Sequence, residues 1–304
     1  MQKQKSKRNI FGGHRMLLAG ILCLFGFCLL AQKPVQSRVK KTSEDTTKVR
    51  KREATPQKQP AKSKVYLIHS DLLRKDSRNP DAQVVVGNVV FRHDSVYMYC
   101  DSAYYYDKIS SFEAFSNVKM NQGDTLFLYG DRLYYDGNTQ IAEVRMNVRM
   151  ENRNTILLTD SLNYDRVYNL GYFFDGGTLM DEQNVLTSEW GEYNPGTKQS
   201  VFNYNVKLVN PQFTLTSDTL EYNTASKVAN IVGPSDILSD NNHIYSERGT
   251  YNTMTGKAYL LDRSVLTNEG KQLTGDSLFY DRNEGLGEAF RNMVLTDTIN
   301  KNMM

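Results

Sequence analysis

Carboxylates recur along this 304-residue chain at a fixed step. Asp131, Asp160, Glu189, Asp218, Glu247 and Asp276 follow one another at one constant interval, and Asp101 extends the series one step back, at an interval longer by a single position. Two kinds of chemistry use such residues. Calcium gathers several carboxylate and carbonyl oxygens within one short loop, and acid–base catalysis sets a carboxyl within hydrogen-bond reach of the reacting group. Neither arrangement is visible. The acids are single and far apart, the glycine-rich nonapeptide of calcium-binding β-helices is absent, and nothing in the sequence brings two of them together. Hydrogen bonding at a turn or strand end is the remaining role. His69, His93 and His243 lack metal-ligand spacing, and Cys100 stands alone beyond the leader, so no zinc site is expected. A Gly-x-Ser-x-Gly elbow and a phosphate-cradling glycine loop are also absent. The reading is of a non-enzyme that uses no metal and no cofactor.

The carboxylates belong to longer phrases. Gly130-Asp131-Arg132-Leu133-Tyr134-Tyr135-Asp136 returns as Thr159-Asp160-Ser161-Leu162-Asn163-Tyr164-Asp165, as Ser217-Asp218-Thr219-Leu220-Glu221-Tyr222-Asn223 and as Gly275-Asp276-Ser277-Leu278-Phe279-Tyr280-Asp281. A second phrase fills the other half of each unit: Asn88-Val89, Asn117-Val118-Lys119-Met120, Asn147-Val148-Arg149-Met150, Asn205-Val206-Lys207-Leu208 and Asn292-Met293-Val294-Leu295. A fixed period of this length signals stacked supersecondary units. Within each unit apolar residues alternate with polar ones, as in Val144, Met146, Val148 and Met150 against Arg145, Asn147 and Arg149. Period 2 means strands with one buried face. Turn signals such as Asp136-Gly137-Asn138 and Asn194-Pro195-Gly196 follow each Tyr-Asp/Asn element, so each unit holds two strands and two turns. Trp190, the single tryptophan, reads as a packing residue.

Charge divides the chain. Residues 1–64 carry 16 Lys+Arg against 3 Asp+Glu, and residues 65–304 carry 21 against 31. The repeat region is therefore acidic, which excludes nucleic acid as its partner. Lys3, Lys5, Lys7, Arg8 and Arg15 precede an apolar stretch, Met16 to Ala31, in the grammar of a secretory signal; uncleaved, the same stretch is an N-terminal anchor. Residues 32–64 are basic and poor in apolar groups, as in a disordered linker. The repeat region, 65–304, stops in the middle of a unit, which reads as truncation at the C-terminus.

The signal sequence, the Asn-Val-x-Met/Leu elements and the Gly/Ser/Thr-Asp-x-Leu-x-Tyr-Asp/Asn elements together resemble the OstA-like family, the LptA type of periplasmic lipopolysaccharide-transport domain, in its long Bacteroidota-like form. The resemblance covers residues 65–304. It implies an all-β fold, an elongated, open-ended antiparallel β-jelly roll, whose apolar interior accepts the acyl chains of lipopolysaccharide. Such domains join end to end into a bridge between the inner and outer membranes, with other jelly-roll proteins of the transport system or further copies of the chain added at edge strands. The apolar residues Val118, Met120, Leu126, Leu128, Val148, Met150, Phe202, Tyr204, Val206 and Leu208 are the candidates for lining a lipid groove, with ordinary core as the alternative. In two units Glu replaces Asp and Leu is lost, at Trp190-Gly191 and Arg248-Gly249; these units either line a different part of the groove or lie at an edge. The competing reading is a structural or adhesive repeat protein of the cell envelope with a filled interior.

Overall fold

The structure, a computed structural model, describes residues 63–297, 299 and 302–303. The chain divides into two units, Met1–Gln57 and Lys58–Met304. The expected leader and nearly all of the expected linker lie outside the described residues. In the second unit all described strands join one antiparallel sheet, and the fold is an elongated β-jelly roll. The sheet is a meander in which each long strand pairs with its chain neighbours, and where a strand is split its two halves pair separately with the strands on either side. Ser111–Gln122, for instance, pairs with Val96–Tyr106 on one side and Leu126–Asp136 on the other.

Midway along each long strand the register shifts: between Phe115 and Val118, between Arg145 and Val148, and between Asn203 and Val206. There the sheet folds over on itself. Residues 111–115, 132–136 and 141–145 lie in one wall, and residues 118–122, 126–129 and 148–152 lie in the other. The fold is made by two successive residues with left-handed backbone: Ser116-Asn117 (φ 63° and 50°), Met146-Asn147 (63° and 52°) and Tyr204-Asn205 (65° and 52°). Asn is the non-glycine residue that enters this region most readily, which explains why an Asn opens each Asn-Val phrase.

Its side chain also explains the recurring carboxylate. The amide of Asn117 donates to Asp101 at 2.7 Å, Asn147 to Asp131 at 2.6 Å, Asn205 to Glu189 at 2.5 Å and Asn292 to Asp276 at 3.1 Å. In each pair the Asn follows its acid by the same separation, across one strand boundary. Arg263 holds Glu247 in the same way. At the equivalent positions Gly176 and Pro234 no side chain can make this bond; the strand is split there, into Leu170–Phe173 and Gly177–Asp181, and into Val228–Ile231 and Ser235–Ser239, as it also is at Arg263 and Asn292, where the bond is made.

Packing inside the first wall alternates large and small across strands. The buried tyrosines Tyr135, Tyr164, Tyr193, Tyr222, Tyr251 and Tyr280 form a column at the same step as the acids. Between successive tyrosines sit Ala142, Gly171, Ser200, Ala229 and Ala258. Neighbouring strands are only about 4.8 Å apart, so a small residue on every second strand gives each ring its room. The two units that lost Leu follow the same rule. A Cβ on Gly191 would lie 2.6 Å from the Phe173 ring and 3.1 Å from that of Phe202; these rings fill the space that Leu occupies in other units. Gly249 would meet the backbone of Tyr259 and Leu260. Both glycines lie within the stack, packed against larger neighbours.

The fold line yields a prediction. Asn147→Ala removes the bond to Asp131 and places a β-carbon at φ 52°, so it is expected to cost about 1–2 kcal/mol. Asn147→Gly loses the bond but accepts the backbone and is expected to cost less. Denaturant unfolding of the two variants checks the order; equal losses would mean that the left-handed bend imposes no constraint.

Candidate functional site

The interior is lined by an aliphatic ladder in the second wall. Its rungs are, strand by strand, Leu128, Met150, Leu157, Leu179, Leu186, Leu208, Leu215, Ile237, Ile244, Leu266, Leu273 and Leu295, each paired directly with the next. Leu128 to Ile244 are buried, Leu266 and Leu273 are partly buried, and Leu295 is 40% exposed. Opposite them stand Leu133, Val144, Leu162, Phe202 and Leu220 of the first wall. No polar side chain interrupts this ladder.

Nine of the ten residues singled out from the sequence are buried in this core: Val118, Met120, Leu126, Leu128, Val148, Met150, Phe202, Val206 and Leu208. Tyr204 is not. It is 58% exposed, because it is the first left-handed residue of its fold line and turns outward there. Period 2 extended through the bend misplaces it, and Met146 stands outside for the same reason.

The walls are joined by backbone along the fold line. On the opposite side they meet only through side chains, in a polar seam that the sequence reading missed. Each buried tyrosine ring carries its hydroxyl toward the seam. Tyr193 donates to Asn152 at 3.2 Å and Tyr222 to Asp181 at 2.8 Å, both bonds spanning more than one full repeat of sequence. Tyr135 meets His93 Nδ1 at 2.6 Å over a similar span. Cations close the seam from the first wall. Lys227 bonds both oxygens of Asp181 at 2.8 Å, Lys198 bonds Asn152, Arg282 donates to Tyr251 at 3.0 Å, and Arg166 reaches both His93 and Tyr135. Asn184 donates to Tyr222 at 3.0 Å and to Thr253 at 3.1 Å. The signal for these contacts was present as a second column at the step of the acids, Asn152, Asp181, Asn210 and Ser239, but nothing local says which residues it faces.

Burial sets the protonation states. The tyrosine hydroxyls are held neutral well above the ordinary phenol value, Tyr135 and Tyr251 at about 12, by desolvation opposed by Arg166 and Arg282 respectively. His93 is pushed below its usual value, chiefly by burial and then by the Arg166 charge, against a smaller opposing pull from Asp94. Its Nδ1 therefore accepts from Arg166 and Tyr135, which fixes the neutral ring with its proton on Nε2. Cys100 is buried with its thiol raised to about 12 by desolvation, which makes it inert. Among the described residues no three His, Cys, Asp or Glu are placed to hold a metal ion. No described helix is long and apolar enough to cross a membrane.

The OstA-like protein family matches residues 62–218 and 214–276, together well over half of the chain. The chain belongs to the OstA-like protein family. No curated protein matches it. Among solved structures it is similar to LptH, the LptA homologous periplasmic component of the conserved lipopolysaccharide transport device from Pseudomonas aeruginosa, at 19% identity and a TM-score of 0.34, over 36% of this chain and 85% of that one.

Two measurements follow from the seam of this OstA-like chain. Asp181 and Lys227 are 2% and 12% exposed, so Asp181→Ala, which leaves Lys227 with Glu182 alone and takes the acceptor from the buried Tyr222 hydroxyl, is expected to cost about 1–3 kcal/mol. Asp181→Asn keeps an acceptor for Tyr222 and Lys227 and is expected to cost less; denaturant unfolding compares them. For His93 the folded value is depressed. The unfolded chain therefore takes up the proton first as pH falls through about 6.5, and stability is lost below that point. Thermal midpoints at pH 7.5 and 5.5 should fall more steeply in the native chain than in His93→Gln. Parallel curves would remove His93 from the pH response.

Proposed function

We propose that this chain is a periplasmic lipopolysaccharide-binding transport protein, part of an inner-to-outer-membrane β-jelly-roll bridge for outer-membrane assembly. It holds lipid A acyl chains between its two walls and performs no chemistry on them. The observation that carries this reading is the unbroken aliphatic ladder from Leu128 to Leu295, which offers a hydrocarbon chain the same surface on every strand.

The energetics favour entry from the seam. Burying an acyl chain of about a dozen methylenes is worth on the order of 10 kcal/mol at about 0.8 kcal/mol per CH₂. Neutral side-chain hydrogen bonds across the seam contribute about 1 kcal/mol each, while at the fold line the two walls are joined by the covalent backbone of each long strand. A lipid that parts the walls therefore does so at the tyrosine side. The short outer strands Tyr66–His69 and Leu72–Lys75, exposed along one edge of the sheet, suit addition of a strand from a neighbouring jelly roll. Such a neighbour would be another transport-system domain or a second copy of the chain, outside the cytoplasm.

The close packing of the interior supports the second reading, a structural or adhesive envelope repeat. Photo-crosslinking separates the two. A photoreactive side chain at Met150 or Leu208 is expected to capture lipopolysaccharide in cells, and one at the outward Tyr204 is not. Capture at none of the interior positions, together with a ligand-free mass in native mass spectrometry of protein incubated with lipopolysaccharide, would favour the structural repeat.

A further inference from the structure

Two adjacent rungs of the seam have the same design and different charge. In one, Tyr222 and Lys227 converge on Asp181, and Lys227 has a second acid, Glu182, at 3.2 Å. In the other, Tyr193 and Lys198 converge on Asn152. The Lys follows its acceptor by the same sequence separation in both. Lys227 therefore has its counter-charge built in, and Lys198 faces a neutral amide. Beside it lies a second cation, Arg153, which makes no ion pair among the described residues. Burial and then the Arg153 charge hold Lys198 below the ordinary lysine value, with Asp181 opposing. The two cations line one concavity of about 140 Å³, together with the hydroxyl-bearing Thr155 and Thr224. Asp181 and Glu182 also border it, but both are engaged by Lys227.

We propose that this concavity binds a phosphate dianion, free or as a monoester, between Lys198 and Arg153. The ligand class follows from the donors. A guanidinium fork and an ammonium offer several convergent N–H groups to a tetrahedral oxyanion, and two positive charges match a phosphate dianion where a single carboxylate would leave one uncompensated. The site lies on the seam, at the boundary between the apolar interior and water. The anion's source is then either the phosphorylated headgroup of a lipid whose chains lie inside, or free phosphate.

The decisive variant is Asn152→Asp, which rebuilds the Asp181–Lys227 pair at the Lys198 rung and gives the cation an internal partner. Inorganic phosphate is titrated into the full chain at constant ionic strength, followed by NMR at the amides of Asn154, Thr155 and Ala225. Saturable shifts are expected in the native chain, with affinity at least tenfold weaker in Asn152→Asp at an undiminished thermal midpoint; Arg153→Gln should weaken binding without touching the Tyr193 contact. A second arm, which rests on the lipid reading above, uses lipopolysaccharide with and without its lipid A phosphates. If Asn152→Asp weakens binding of the phosphorylated form alone, the site takes the headgroup; if it weakens only inorganic phosphate binding, the site takes the free anion. Absence of saturation in the native chain, or equal affinity in Asn152→Asp, overturns the proposal. Interior crosslinking at Met150 would be unaffected by that failure, so the two readings fall separately.

Discussion

The left-handed bend at the middle of alternate strands, as at Ser116-Asn117, Met146-Asn147 and Tyr204-Asn205, is the constraint on which the rest depends. Two consecutive residues with positive φ fold one continuous meander into two facing walls. That conformation is costly for most side chains, and the chain meets the cost with Asn at the second position, whose amide is then held by a carboxylate from the preceding strand. Register, wall separation and inward alternation all follow from where that pair is placed. The acid series is therefore structural, and its spacing is the spacing of the fold line.

The folded sheet is asymmetric. Along the bend the walls are joined by the covalent chain, which passes from one wall to the other in every long strand. Along the seam they are held by tyrosine hydroxyls and amides, each contributing about 1 kcal/mol, and by a few charge-assisted bonds that contribute more. The phenol suits this place because its ring belongs to the core and its hydroxyl to the seam. An aliphatic ladder between a strong hinge and a weak seam is the physical basis for reading the interior as a lipid path, and the unequal charges at Asn152 and Asp181 give two otherwise equivalent rungs different chemistry.

Much of the fold was legible before the structure. Period 2 named the strands, and the Asx residues after each tyrosine named the turns: Asn223 accepts from the Ala225 and Ser226 amides as Asp165 does from Val167 and Tyr168. Alternation failed at the bends, where two neighbouring residues both point outward, so Tyr204 was drawn into the interior. The glycines at 191 and 249 looked like degeneration of the repeat, since a missing side chain says nothing about which neighbour fills its place. Phe173 is remote from Gly191 along the chain, and only the strand pairing brings them together.

By itself the sequence determined the repeat, the class of each element and the alternation that buries one face, because these depend on chemistry within a few residues. It also set which positions recur. Tertiary structure decided what the recurring positions meet. An acid meets the Asn of the next strand, a tyrosine hydroxyl meets an amide or carboxylate more than one repeat back, and Lys198 lacks the counter-charge given to Lys227. Those contacts cross from strand to strand or from wall to wall, and a period read along the chain carries no information about which column faces which until the sheet has folded.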